Sequence, residues 1–412
     1  MRRRTLLGLS GAAALAMAAP LPMLFTRRSG KGPLVPDPRG LLDLRAGFSY
    51  RILDRAGDAM SDGYRVPWRP DGMGCFTGAD GSWILMRNHE LTRSKQHGPR
   101  GALPHAYDPE TYGSVTRLVL DSKRVAVKTS NLVLTGTLRN CAGGVSPWGW
   151  LTCEESVDRR HGYVFVCRTQ AARLEPPHRL AVFGRFNHEA ACVDPKTLAT
   201  YMTEDRLDGC FYRFLPKDRT KPFEGRLQAL RVRTEHNYDL SRLRPGASAR
   251  VDWVDVPDAD SEDDSVRLQA QERGAAIMRR GEGLWFHGGA VYICATVGGS
   301  KQRGQILRLT PEPENRIETI AEGHDDGVDM PDNITVAPWG DVYMAEDGSG
   351  DQFIRALSRT GLLYDVARNA RSSGEFAGVC FSPDGNVLFV NLQLEGLTVA
   401  ITGPFRALSP TT

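Results

Sequence analysis

The stretch Ser146-Pro147-Trp148-Gly149-Trp150-Leu151-Thr152-Cys153-Glu154-Glu155 closes a short apolar run with a thiol and two carboxylates. A thiolate suits a transition metal, and carboxylates suit hard cations such as calcium. Adjacent side chains thus offer donors for two kinds of metal. Each residue also has a plainer reading. A cysteine ending a strand is often a small buried hydrophobe, and paired glutamates are usually solvated. What favours the metal reading is that similar acids recur elsewhere at comparable places.

From about residue 45, short runs of β-branched and aromatic residues alternate with turn residues, which predicts a mainly β protein. Six units read as strand, tight turn, strand: Gly74 to Glu90, Gly144 to Glu155, Ala190 to Asp205, Gly283 to Thr296, Ile334 to Asp347 and Gly378 to Asn391. The expected architecture is an all-β, six-bladed β-propeller. A hairpin sets the start of its first strand beside the end of its second. First strands open near Asn187-His188-Glu189, Arg280-Gly281-Glu282, Asp332-Asn333 and Glu375. Second strands close at Asn88-His89-Glu90, Cys153-Glu154-Glu155, Glu204-Asp205, Glu346-Asp347 and Asn391-Leu392-Gln393. On radially arranged blades these groups converge on one mouth of the channel. Gathered carboxylates repel one another unless cations compensate them, so a metal cluster is expected. His89 and His188 read as structural or as orienting neighbouring acids. Between Leu207 and Arg280, the acidic Glu262-Asp263-Asp264 and a polar, helix-like stretch from Ser265 to Arg273 read as an inter-blade insertion.

The whole chain of 412 residues is 41% hydrophobic and 25% charged, which fits a globular protein with a substantial core. A net charge of +3 gives no support for nucleic-acid binding, and any anion must be held locally. The eight cysteines show no Cys-x-x-Cys spacing, against a structural zinc site or thioredoxin-like motif. Arg2-Arg3-Arg4, followed by an apolar, alanine-rich stretch to Phe25, reads as a twin-arginine export signal. Cleavage after Ala16-Met17-Ala18 and an uncleaved N-terminal anchor both remain open. The expected organisation is a signal or anchor over 1–28, a linker over 29–44, the propeller over 45–405 and a tail over 406–412. The expected location is the periplasm or the exterior, with the twin-arginine export machinery as partner.

These segments together resemble the PhoX-type alkaline phosphatases, in particular the shorter members. The resemblance is carried by Arg87 to Glu90, Ser146 to Glu155, Asn187 to Ala190, Glu204-Asp205-Arg206, Arg280 to Gly283, Asp332-Asn333, Glu346-Asp347-Gly348, Glu375 to Gly378 and Phe381 to Gly385. It implies an exported phosphomonoesterase on a six-bladed propeller, with two ferric ions (Fe3+) and three calcium ions (Ca2+). It gives Cys153 the role of iron ligand. Glu90, Glu154, Glu155, Glu189, Glu282, Asp332 and Glu375 become iron or calcium ligands, and Arg280, two residues before Glu282, becomes the phosphate-binding arginine. The longer enzymes carry a Thr between Gly149 and Trp150, which is missing here, and Arg-Pro-Glu-Trp where this chain has Arg280-Gly281-Glu282-Gly283.

The expected reaction is hydrolysis of a phosphate ester by an oxygen held on the metals, with no serine nucleophile. Arg280 would match its N–H fork to the equatorial oxygens, so Arg280, Cys153 and Glu282 are the expected catalytic residues. Two other classes fit a propeller: a calcium-dependent lactonase and a non-enzymatic, metal-stabilised binding module. A thiolate ligand is of no use to a hard-cation lactonase.

Overall fold

The computed structural model describes residues 33–93, 98–99, 101, 103–324 and 327–409, with the backbone of 27–28. The stretch expected to act as a twin-arginine signal or anchor lies, but for the backbone of 27–28, outside the described residues. Strands dominate, and the α-helices among the described residues are Val266–Glu272 and Phe405–Leu408. No described helix is long and apolar enough to cross a membrane.

The chain forms a β-propeller of antiparallel meanders. The first sheet runs Pro70–Thr77, Trp83–His89, Gly113–Asp121, Ala126–Thr137; the second runs Asn140–Ser146, Gly149–Glu154, Val164–Cys167. Two further meanders start at His188–Val193 and Gly281–His287. Their outer strands pair through Ser248–Arg250 and Arg316–Glu318, so hydrogen bonding merges them into one nine-stranded sheet. A sheet beginning at Pro331–Val336 follows, and the last runs Phe376–Phe381, Val387–Leu392, Leu397–Thr402 and Ser49–Arg55. Against the expectation of six blades, the described residues form five hydrogen-bonded sheets.

The first strands of the meanders contact one another in a closed ring, in the order Pro70–Thr77, Asn140–Ser146, His188–Val193, Gly281–His287, Pro331–Val336, Phe376–Phe381 and back to the start. Burial follows from that position. His188–Val193 and Phe376–Phe381 are buried along their whole length, whereas the outer strand Arg316–Glu322 alternates between half-buried and buried. Small residues let the inner backbones approach: a Cβ on Gly144 would collide with the Ala191 carbonyl, and one on Gly378 with that of Asp71. Residues of the inner strands, among them Trp150, Leu284, Trp285 and the inner glycines, line a small void between them.

Apolar clusters fill the space between neighbouring sheets, as with Tyr343, Phe376, Phe381, Leu388 and Phe405. Fully burying such a side chain stabilises by about 1.5–3 kcal/mol. The ring is closed by the chain's own ends, because Ser49–Arg55 pairs with Leu397–Thr402. Fully buried Arg87 of the first sheet reaches Asp54 at 2.5 Å and Thr398 of the last, which fastens the two together. Leu42–Leu44, expected in the linker, instead pairs with Leu362–Asn369, and Asp43 accepts from Arg368 Nη2 at 2.5 Å. Phe405–Leu408 packs into the core rather than starting a tail. The insertion carries the helix Val266–Glu272, close to the stretch expected from its polar pattern.

Candidate metal centre

The inner strands open in a common way. In the first five, two residues oppose one on the partner strand, and the first of the pair is Asp71, Cys141, Glu189, Glu282 or Asp332. Its follower is small in every case but one: Gly72, Ala142, Ala190, Gly283 and Asn333. A β-bulge of this type re-aims a side chain that strict alternation would send elsewhere. Here it turns a row of donors towards the axis. In the last inner strand Ala377 holds the equivalent register, one residue after Phe376↔Leu392.

Two positions earlier, Arg69, Arg139, Arg280 and Met330 adopt left-handed backbone with φ of 51°, 52°, 47° and 47°. Bulky residues avoid that region, and such strain gathers at functional sites. The carbonyl at this position accepts the amide of the residue that closes the second strand: Arg69 from Glu90, Arg139 from Glu155, Asn187 from Asp205, Arg280 from Thr296, Met330 from Asp347 and Glu375 from Gln393. One repeated hydrogen bond thus sets the closing acid beside the bulged donor in unit after unit.

The same repeat separates the two members of each acidic pair. Successive strand residues point to opposite faces. Glu155, Asp205 and Asp347 close on the axis, and Glu154, Glu204 and Glu346 point into the sheets. Glu154 accepts from Leu138 N at 2.9 Å, Gly162 N at 2.9 Å, Tyr163 N at 3.2 Å and pairs with His161 Nδ1 at 2.7 Å. Burial opposes charge on His161, but Glu154 and Asp108 outweigh it and hold the ring above its ordinary pKa. Glu204 accepts from Tyr212 and the Cys210 amide, and Glu346 from the Asp329 amide while pairing with Arg355.

The donors that meet at the axis form two overlapping sets. Cys141, Glu155 and Glu189 bring ligand atoms within 4.8 Å of one another, as do Glu189, Glu282 and Asp332. Electrostatics marks the same group. Burial, then Asp332, Glu155 and Asp71, push Glu189 well above the carboxylate range. Burial, then Asp205, Glu189 and Asp332, do the same to Glu282. Burial, then Glu90 and Asp332, raise Asp71, which shares Gln393 with Glu90 at 2.8 and 3.1 Å. Burial lifts Glu155 to about 8, with Asp205 and Glu90 adding to it against Arg139. Asp332 stands at about 7 through burial and Asp347, and Glu375 at about 10 through burial, Asp332 and Asp347. Cys141 is raised by burial, then by Glu189 and Glu155. So many buried carboxylates in mutual repulsion fit a site built around cations, which remove the repulsion and deprotonate a thiol they bind.

Two arginines border the cluster. Arg280 donates to both oxygens of Asp205 at 2.7 and 3.0 Å and to Glu282 at 2.6 Å. Arg139 reaches Glu90 at 3.1 Å and Glu155 at 2.5 Å. A cleft of about 600 Å³ opens beside Arg139, lined also by Glu155, Asn187, Asp205 and Arg206.

Glu90, Glu155, Glu189, Glu282, Asp332 and Glu375 are brought together as the sequence suggested, with Arg280 at their edge. Cys153 and Glu154 are not. Cys153 packs in an apolar cluster with Leu151, Val164 and Phe186, and Glu154 is consumed by backbone amides and His161. The thiol at the carboxylates is Cys141, which lies across the bulge from Cys153. Asp71 and Cys141 fall outside the hairpins expected from the sequence, which begin at Gly74 and Gly144. The signal that would have found them is a donor followed by a small residue, as in Glu189-Ala190 and Glu282-Gly283. His89 and His188 point away, to the Trp68 carbonyl with Thr116 and to the Gly184 carbonyl.

Comparison with known proteins agrees with the propeller fold. The model of the family "Alkaline phosphatase PhoX" matches residues 29–120 and 117–396. Among solved structures, Pseudomonas fluorescens PhoX in complex with vanadate, a transition state analogue, is 17% identical with a TM-score of 0.71. The match covers 92% of this chain and 98% of that one. A Xanthomonas campestris gluconolactonase is 14% identical over 92% of this chain and 100% of its own, with a TM-score of 0.48. A periplasmic gluconolactonase of Pseudomonas aeruginosa is 15% identical over 84% and 90%, with a TM-score of 0.43. No curated protein matches the chain in sequence. With nearly its whole described length matched by the family model, the chain belongs to the alkaline phosphatase PhoX family and is, by that membership, a phosphoester hydrolase.

Proposed function

We propose that the chain is an exported phosphomonoesterase working on a mixed iron and calcium centre, on a propeller whose nine-stranded sheet counts as two of six blades. The observation that carries the reading is the sharing of Glu189 between a set with a thiol and an all-carboxylate set. Cys141, Glu155 and Glu189 suit a transition metal such as iron, and Glu189, Glu282 and Asp332 suit a hard cation such as calcium. Asp71, Glu90, Asp347 and Glu375 lie close enough to perturb one another and would complete the centre.

The cations, when bound, neutralise the dianionic ester and lower the pKa of water. The chain's own residues do the rest. Arg280, parked on Asp205 and Glu282, is placed to donate to the phosphoryl oxygens as charge builds. The cleft at Arg139 and Asp205 gives the ester its approach. Export by the twin-arginine route, which carries folded proteins, would let the centre load before transport.

The deciding experiment is metal analysis of protein exported by a native host, paired with p-nitrophenyl phosphate hydrolysis before and after chelation. Iron together with calcium and chelator-sensitive turnover support the reading. Calcium without a transition metal, and no turnover, would leave a binding propeller instead. Export is tested separately by replacing Arg3 and Arg4 with Lys, which should strand the protein in the cytoplasm.

A further inference from the structure

Arg139 stands at the same place in its unit as Arg280 does two units later. Both are left-handed, both lie two residues before a bulged donor, and both accept the amide that closes their hairpin. The intervening unit puts Asn187 at that position. A continuous chain of contacts joins them: Arg139 to Glu155 at 2.5 Å, Asn187 Nδ2 to Glu155 at 3.3 Å, Asn187 Nδ2 to the Asp205 carbonyl at 3.0 Å, and Arg280 to Asp205 at 2.7 Å. The arc passes over Glu189, the donor of the middle unit, and borders the cleft. The ring is therefore polarised. Going round it, Arg69, Arg139, Asn187 and Arg280 present donor side chains in succession, and the two remaining positions hold Met330 and Glu375.

We infer that Arg139 is a second phosphoryl-binding residue, closing on the substrate from two positions round the ring from Arg280 and setting a preference for monoesters. The inference rests on the phosphatase reading above. Its physical basis is the number of terminal oxygens. A monoester dianion offers three, enough for the cations and for two guanidinium forks, whereas a diester offers two and a single charge. In the described structure Arg139 is held by Glu90 and Glu155, both candidate ligands. Once those carboxylates turn to cations, its side chain, 41% exposed at the cleft, is left to the substrate. A lysine would keep the charge and lose the planar fork.

The test compares wild type with Arg139→Lys and Arg139→Asn, the latter suited to left-handed backbone. The measurements are metal content, equilibrium binding of inorganic phosphate by calorimetry, and kcat/KM for p-nitrophenyl phosphate and bis(p-nitrophenyl) phosphate. The expected result is full metal content, with phosphate affinity and monoester kcat/KM lowered about 10- to 100-fold, the loss of one or two charged hydrogen bonds. Diester kcat/KM should change less than about threefold, so the preference narrows. Unchanged phosphate affinity, or equal losses for both esters, in a metal-replete variant would overturn the second clamp and leave the phosphatase intact. Loss of metal from Arg139→Lys would also overturn it, showing that Arg139 serves the ligands. A metal-loaded wild type that neither binds phosphate nor turns over either ester would end the phosphatase reading itself.

Discussion

Cys141 and Cys153 face each other across one bulge of one hairpin and both feel Glu189, yet their immediate surroundings differ. The first lies among carboxylates with Glu155 and Glu189; the second is one more apolar side chain between Leu151 and Phe186. Glu155 and Glu154 divide in the same way, though they are consecutive. One belongs to a repelling cluster, and the other is saturated by amides and His161. The contrast teaches that residue type alone does not make a ligand here. The deciding factor is the side of the bulged strand on which the donor falls.

The sharpest way to break this comparison is to exchange the two thiols. Cys141→Ser should strip the transition metal and cut turnover at least about 100-fold, since even outer partners of a metal site cost about 10- to 100-fold. Cys153→Ala should keep metal and turnover, and lower stability by about 1–2 kcal/mol for the small void it leaves. Metal analysis and calorimetry read both; a Cys153 variant that emptied the centre would reverse the assignment. Arg280→Ala should lower kcat about 100-fold with metal content intact, as for the loss of a preorganised donor to developing charge. An unchanged kcat/KM would remove it from the site.

The glutamates offer a subtler contrast. Glu154→Gln leaves several buried amides facing one acceptor oxygen, and should destabilise by about 3 kcal/mol while the folded fraction retains its metal. Glu155→Gln should do the opposite, weakening metal binding but raising the thermal midpoint of the chelated protein above about pH 8, where one repelling charge is gone. Equal effects in both assays would erase the distinction between them.

The smallest expected effect is in pH. In the metal-free protein Glu155, Asp332 and Glu375 have pKa values of about 8, 7 and 10, above an unfolded value near 4. The folded state then holds more protons than the unfolded one. Stability from these groups is complete below about pH 4 and is lost as pH rises through about 7 to 10. Chelated protein should therefore melt at falling temperature across that range, and protein with its cations should not. A chelated protein whose midpoint was flat with pH would mean that the carboxylates do not repel as described.

Much of this was legible along the chain. The hairpins follow from turn residues between alternating runs, and Glu189, Glu282, Asp332 and Glu375 follow from acids at strand starts. Glu90 and Glu155 follow from acids at strand ends. What misled was glycine, which normally weakens a strand and marks a turn. At Asp71-Gly72 and Cys141-Ala142-Gly143-Gly144 the small residues are inside the strand because neighbouring inner backbones press against them. The first strands consequently begin about three residues earlier than composition suggests, and the donors hidden there went unseen.

By itself, the order of residues determined that strands would form, that acids would gather at one end of each hairpin, and that Arg280 would stand beside Glu282. Those are local matters, set by side-chain period and turn chemistry within a few residues. Only the tertiary structure decided which thiol and which member of each acidic pair face the axis. That choice depends on bulges that exist because six inner strands crowd a common axis, a pressure no single hairpin feels. It also decided that Arg139, far from Arg280 along the chain, lines a cleft together with Asp205, the partner of Arg280.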